Sequence, residues 1–428
     1  MQKRSHEDRV QPSRMDSEQQ RTSVDVKRRN DNEGPAVRTG LQRLLDKDAH
    51  NEREARLYEE LRRKKIGLIM NHTSVDDQLK LSVDRLLAQG YEVVALFAPE
   101  HGIRGQKPAG AHVKHHIDPI TQIPVYSLYG QTKQPTTEML EDLDCLIYDI
   151  QDLGVRYYTY IYTLILAMKA ASENALSFVV LDRPNPVTGT QIEGNRINPA
   201  FDSFVGGYHL PIRHGLTVGE LARYMHAHLQ LRCDLSVIPM EGWCRRDWYD
   251  QTGLPWTMPS PNATGLDMAL LYAGTCLFEG TNVSEGRGTT KPFEWIGAPW
   301  ITAQEWKEAL DTYKLEGVQF RPVAFQPTTS KYQDALCSGV HVHISDRERM
   351  HPTRVGLTML ETLSALYPQH FKWQDPIKNR YFIDLLLGTD QVRKSLNAKR
   401  PVQAWLAEEE VSLTSYMEET KPYQLYES

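Results

Sequence analysis

IGLIMNHTSVDDQLKLSVDRLLAQGYEVVALFAPEHG, residues 66–102, opens with one short apolar run and closes with another. IGLIM and VVALFA have the length of buried strands, and helical sequence lies between them. The pattern continues outward: CLIYDI at 145–150 and FVVL at 178–181 are further runs of the same kind. Short apolar runs alternating with helical segments predict an α/β fold with a doubly wound parallel sheet. Each run ends in polar residues: Asn71 to Ser74, then Glu100 and His101, then Gln151 to Tyr158, then Asp182, Arg183 and Asn185. Open α/β sheets bind ligands beyond the carboxyl ends of their strands, so the four tips are expected to converge on one cleft.

The loops after these runs carry no GxGxxG and no GxxxxGK[ST], which removes the usual dinucleotide and nucleotide cradles, and no cofactor is expected. HExxH and GxSxG are missing as well. His112, His115 and His116 have no carboxylate at metal-ligand spacing, so no metal site is expected there. The 428 residues carry a net charge of -6 and are 40% hydrophobic and 24% charged, a globular composition without the basic field that nucleic acid requires. Five cysteines without a CxxC pair speak against a disulfide framework or a cysteine zinc site. No apolar run is long enough to span a bilayer. Residues 1–40 are highly charged, lack the apolar core of a secretory signal, and are expected to form a disordered tail on a cytoplasmic protein.

NVSEGRGTTKPFEWIGAPW, residues 282–300, combines Asn282, Glu285, Arg287 and Thr290 with glycines and two tryptophans, without amphipathic period. Glycine lets a backbone approach a ligand, arginine offers a planar fork to an anion, and Trp295 and Trp300 offer faces to a sugar ring. The candidate catalytic groups are carboxylates: Glu100, Asp149, Asp152, Glu279 and Glu285. Paired acids in different environments fit glycoside hydrolysis, with Glu100 and Glu285 as the pair. Asp149, at a strand end, reads as structural or substrate-positioning. A non-catalytic saccharide-binding protein is the alternative, and an esterase or amidase lacks a recognisable nucleophile setting. Further along, Thr217 and Glu220 form a helix-start signature, and His214 before them faces either the cleft or nearby backbone. VQFRPVAF and GVHVHI read as strands, with His341 and His343 on one face, and helices are expected near VGLTMLETLSALY and FIDLLLG.

GLIMNHTSV, LFAPEHGIRG, YDIQDLGVRYYTYIYT, LDRPNP, RHGLTVGELA, NVSEGRGTTKPFEWIGAPW and CSGVHVHISD, in this order, resemble the NamZ-type exo-β-N-acetylmuramidases from about Gly40 to the C-terminus. The resemblance implies a Rossmann-like catalytic domain over 41–316 and a smaller C-terminal α/β domain over 317–428 that completes the cleft. It also implies removal of terminal N-acetylmuramic acid from peptidoglycan fragments. Carried over by position, the family's polar residues fall on Asn71, Glu100, His101, Asp149, Gln151, Asp152, Arg156, Tyr157, Arg183, Asn185, His214, Asn282, Glu285, Arg287 and Thr290. Arg156 and Arg287 are the expected readers of the lactyl carboxylate that distinguishes this sugar. The HVKHH segment departs from the family's pattern at the rim of the cleft.

Overall fold

The computed structural model describes residues 37–105, 115–130 and 132–427. The expected tail therefore lies outside the described residues up to position 36, as does His112. Val37 to Gly40 already belong to the fold. Val37 is buried, its N–H donates to the Thr252 carbonyl at 3.1 Å, and Thr39 caps the helix Gly40–Leu45.

The main sheet has seven strands: β1 (Lys65–Met70), β2 (Glu92–Ala98), β3 (His116–Ile117), β4 (Pro124–Ser127), β5 (Cys145–Asp149), β6 (Ser177–Leu181) and β7 (Leu235–Ile238). Their order is β3-β4-β2-β1-β5-β6-β7, and every pairing is parallel except the short edge strand β3 on β4. Without β3, the six parallel strands run 3-2-1-4-5-6 in chain order, the doubly wound arrangement whose direction reverses between β1 and β5. The apolar runs are continuous because both faces of the sheet are covered. Leu146 and Tyr148 of β5 enter one core, and Cys145 and Ile147 enter the other. Helices Gly40–Leu45, Glu52–Leu61 and Ser82–Ala88 cover the second core, and Tyr160–Glu173 covers the first.

A smaller antiparallel sheet follows, ordered β8-β10-β9, with β8 (Trp295–Ala298), β9 (Val318–Phe325) and β10 (Cys337–Ile344). Helix Ala303–Asp311 packs on it, and helix Pro352–Leu366 packs on that helix. β8 precedes residue 317 in the chain while β9 and β10 follow it, so this sheet draws on both sides of that position. Its inward residues Ile296, Val340 and Val342 share a core with Leu146 and Tyr148 of the main sheet. Where helix Leu266–Thr275 crosses Pro352–Leu366, Gly274 and Gly356 meet backbone to backbone, and a Cβ on either would collide with main-chain atoms.

The helix after His214 starts as the sequence indicates. Thr217 accepts from the Glu220 N–H, and the Glu220 carboxylate accepts in return from the Thr217 N–H. His341 and His343 do share a face, with ring centroids 3.7 Å apart, and His341 Nε2 lies 3.5 Å from Glu294. Among the described residues no helix is long and apolar enough to cross a membrane.

Candidate active site

All four expected tips lie on one edge of the main sheet, because β2, β1, β5 and β6 are adjacent and parallel. They do different work. The reversal point between β1 and β5 is closed by hydrogen bonds. Asn71 Oδ1 accepts from the Thr73 N–H and hydroxyl, at 2.9 and 2.6 Å, and Gln151 N–H donates to the Thr73 hydroxyl at 3.0 Å. Gln151 Nε2 donates to the carbonyls of Asp152 and Pro184. Arg183 grips both oxygens of Asp149, at 2.6 and 3.0 Å, and donates to the Val75 carbonyl at 3.0 Å. Asn185 bridges the Leu216 carbonyl and the Val187 N–H. The tips of β1 and β6 thus brace the edge, with Asp149 held there by Arg183.

Three other expectations change in the same way. Arg156 is fully buried, and its guanidinium donates to the carbonyls of Asn195, Leu210 and Leu386 and to the Asn195 side chain. It joins distant segments and has no access to an anion. His214 is buried, with Nδ1 accepting from the Leu216 N–H at 3.2 Å and Nε2 at 3.5 Å from Asp152 Oδ2, which also accepts from the Gly154 N–H. Asn282 pairs in strand-like fashion with His370 and Lys372, docking its loop onto the C-terminal part of the chain.

The remaining residues meet at two cavities. A small one of about 70 Å³ is lined by Glu100, His101, Thr159 and Arg287 and walled by aromatic rings, among them Tyr157, Tyr272 and Phe293. Glu100 accepts from the Thr159 hydroxyl at 3.4 Å and neighbours the Tyr129 phenol, whose pKa is pushed up to about 12 by burial and by Glu100. His101 (φ 74°) and Phe293 (φ 63°) both hold left-handed backbone conformations, a strain that gathers at functional sites. The large cavity, of about 1470 Å³, is lined by Glu279, Glu285, Arg287, Thr290, Trp295 and Lys331, among others. Arg287 lines both cavities. Trp295 supplies one of the two expected ring faces. Trp300 does not line either cavity and stacks on His370, with centroids 5.8 Å apart.

Charges alternate along the floor of the large cavity. Arg287 donates to Glu279 at 2.6 Å, its Nε lies 3.4 Å from Glu285 Oε1, and Lys331 Nζ lies 2.9 Å from Glu285 Oε2. Glu285 is 2% exposed, so its negative charge is balanced by the protein rather than by water. Burial raises the pKa of Glu279, with Arg287 pulling it down and Glu285 pushing it up. Glu279 was among the candidate carboxylates, whereas Lys331 was not among the residues expected to line the site.

Glu100 and Glu285 thus lie on separate loops, with Arg287 lining the cavities of both, an arrangement open to glycosidase chemistry, and comparison with known proteins points the same way. The N-terminal model of the exo-beta-N-acetylmuramidase NamZ family matches residues 66–267, and the C-terminal model matches 270–426. The chain belongs to the NamZ exo-β-N-acetylmuramidase family. It is 43% identical over 393 residues to the peptidoglycan beta-N-acetylmuramidase NamZ of Bacillus subtilis, covering 92% of each chain. Two crystal structures of DUF1343 family proteins from Bacteroides fragilis share the fold. One has a TM-score of 0.82 at 35% identity and the other 0.73 at 31%, each over 92% of this chain and 99% of theirs. The NamZ models together span the main sheet, the smaller sheet and both cavities.

Proposed function

We propose that the protein releases terminal N-acetylmuramic acid from peptidoglycan-derived saccharides, with Glu100 as proton donor and Glu285 as the anionic partner. The reaction class follows from the family: an exo-β-N-acetylmuramidase is a glycoside hydrolase. The division of roles rests on one observation, the unlike surroundings of the two carboxyls. Glu100 accepts from the Thr159 hydroxyl and neighbours the Tyr129 phenol, in a cavity it shares with His101 and Arg287, whereas Glu285 is held directly between an ammonium and a guanidinium. A carboxyl among hydroxyls can carry the proton that the departing sugar oxygen needs. A carboxylate held by cations supplies the negative charge that an oxocarbenium-like transition state requires. Recognition of the lactyl carboxylate passes from Arg156 to the cations on the large cavity wall, Arg287, Lys378 and Arg380.

Glu100→Gln and Glu285→Gln are each expected to lower turnover of a disaccharide substrate by about two orders of magnitude or more, the scale of acid–base catalysis. A nitrophenyl muraminide separates the roles, because nitrophenolate departs without protonation. Glu100→Gln should recover most of its loss on that substrate, and Glu285→Gln should not. The opposite pattern exchanges the roles, and near-wild-type turnover in either folded variant removes that residue from the chemistry.

A further inference from the structure

Residues 326–336 connect β9 to β10, and this loop reaches across to the loop that carries Glu285. Thr328 donates both its N–H and its hydroxyl to the Gly288 carbonyl, each at 2.9 Å. A Cβ on Gly288, whose φ is 78°, would lie 2.5 Å from Thr329 N. The two loops therefore press together, with only the Thr328 hydroxyl added to their main-chain contact.

Lys331 extends from this contact. Its ammonium has three N–H groups and finds three acceptors: the Phe278 carbonyl at 2.7 Å, the Val283 carbonyl at 3.1 Å and Glu285 Oε2 at 2.9 Å. Two of the three are main-chain oxygens, Phe278 just before Glu279 and Val283 between Glu279 and Arg287 in the chain, so the ammonium is fixed independently of Glu285. Its side chain is 18% exposed, unlike a solvated surface lysine. The charged and titratable groups facing Glu285 are Lys331 from the β9–β10 loop, Arg287 from its own loop, and Glu279 and Cys276 from the short helix Cys276–Gly280. Arg287 divides its contacts between Glu279 and Glu285, whereas among the described residues Lys331 contacts no carboxylate but Glu285.

We propose that Lys331 is a positioning residue for the hydrolase reaction: an ammonium anchored on two main-chain carbonyls that holds the Glu285 carboxylate charged and fixes which oxygen faces the substrate. The proposal rests on Glu285 being the anionic partner. A cation this close favours the charged form, so its removal makes that form harder to reach. Lys331 touches no reacting atom, and its effect should appear in kcat and in pH dependence before KM.

Lys331→Gln keeps amide N–H donors for the two carbonyls and removes only the charge, and Lys331→Arg keeps the charge. Rates on the nitrophenyl muraminide are measured from pH 4 to 9, with melting temperatures recorded alongside. In Lys331→Gln, kcat is expected to fall about tenfold or more with KM changed less than about threefold, and the acidic limb of the profile to move up by about one pH unit. Lys331→Arg should return the limb towards its wild-type position, which a purely structural strut would not explain. If Glu285→Gln is inactive while the Lys331→Gln limb coincides with wild type, Lys331 is only a strut and the proposal falls. A Lys331→Gln protein too unstable to assay, with Lys331→Arg stable but its acidic limb displaced upward, overturns it as well. A fully active Glu285→Gln enzyme brings down the assignment of Glu285 itself, an outcome distinct from both.

Discussion

Asp182, at the end of β6, offers the clearest quantitative test of the fold. It is fully buried and receives four donors: the N–H groups of Arg183 and Gly219 on Oδ1, and the hydroxyls of Thr217 and Tyr426 on Oδ2. Burial outweighs them and raises its pKa from 3.8 to about 7. Between these values the folded chain binds a proton that the unfolded chain has released. The resulting stability is fully present below pH 3.8 and is lost as the pH rises through 7. At about 1.4 kcal/mol per unit, the loss across the window amounts to about 4 kcal/mol. Asp182→Asn is close to isosteric. Its oxygen can accept from the two fixed N–H groups, and its amide can donate to the two hydroxyls once they turn. The stability of the variant minus that of wild type should therefore climb by about 1.4 kcal/mol per pH unit from pH 4 to 7 and then level off. Subtraction cancels the other titrations. Glu419, lowered to about 2 chiefly by Arg196, titrates below this window in any case. Urea unfolding of both proteins across the range is the assay. Parallel curves would mean that Asp182 is charged throughout, its four donors outweighing burial, and the reasoning would fail.

Arg156→Met should lower stability by about 3 kcal/mol or more, since it strands buried carbonyls without a donor. Thermal unfolding reads this, and a raised KM at unchanged melting temperature would return Arg156 to the substrate. Gly288→Ala puts a Cβ against Thr329 in a left-handed conformation, and should cost about 1–3 kcal/mol of stability together with most of the activity. A wild-type melting temperature and rate would show that the two loops are not pressed together as described.

The main sheet was readable because β1, β2, β5 and β6 are buried on both faces and keep unbroken apolar runs. β4 (PVYS) and β7 (LSVI) are four residues long and partly exposed, and nothing distinguishes them from loop sequence. β8 lay inside the segment taken for a site loop, since its WIGA is too short to show a period. In the site, Glu100, Glu285 and Arg287 were visible as charges in places where a core or a plain turn would not put them. Arg156 looked the same in sequence, in a glycine-containing stretch after a strand. Its burial comes from Asn195, Leu210 and Leu386, which no local pattern reveals. Lys331 escaped notice for the same reason: its partners Glu285 and Phe278 lie 46 and 53 residues away, and two of its three acceptors are carbonyls, which every residue has.

The core that the two sheets share bears on how substrate enters. Two lobes joined by a linker can swing like jaws, and closure then takes up part of the binding energy. Here side chains from both sheets fill one core, and Gly274 and Gly356, both within the span of the C-terminal NamZ model, touch through their main chains. With one core beneath both sheets, the opening between them is expected to act as a fixed aperture rather than a hinge. Admission then depends on the rim, where the hairpin at Ile377–Arg380 and the loop bearing Lys331 frame the large cavity. These loops can change in length and charge, and with them the glycans admitted, while the spacing of the groups on the floor stays set by the shared core beneath.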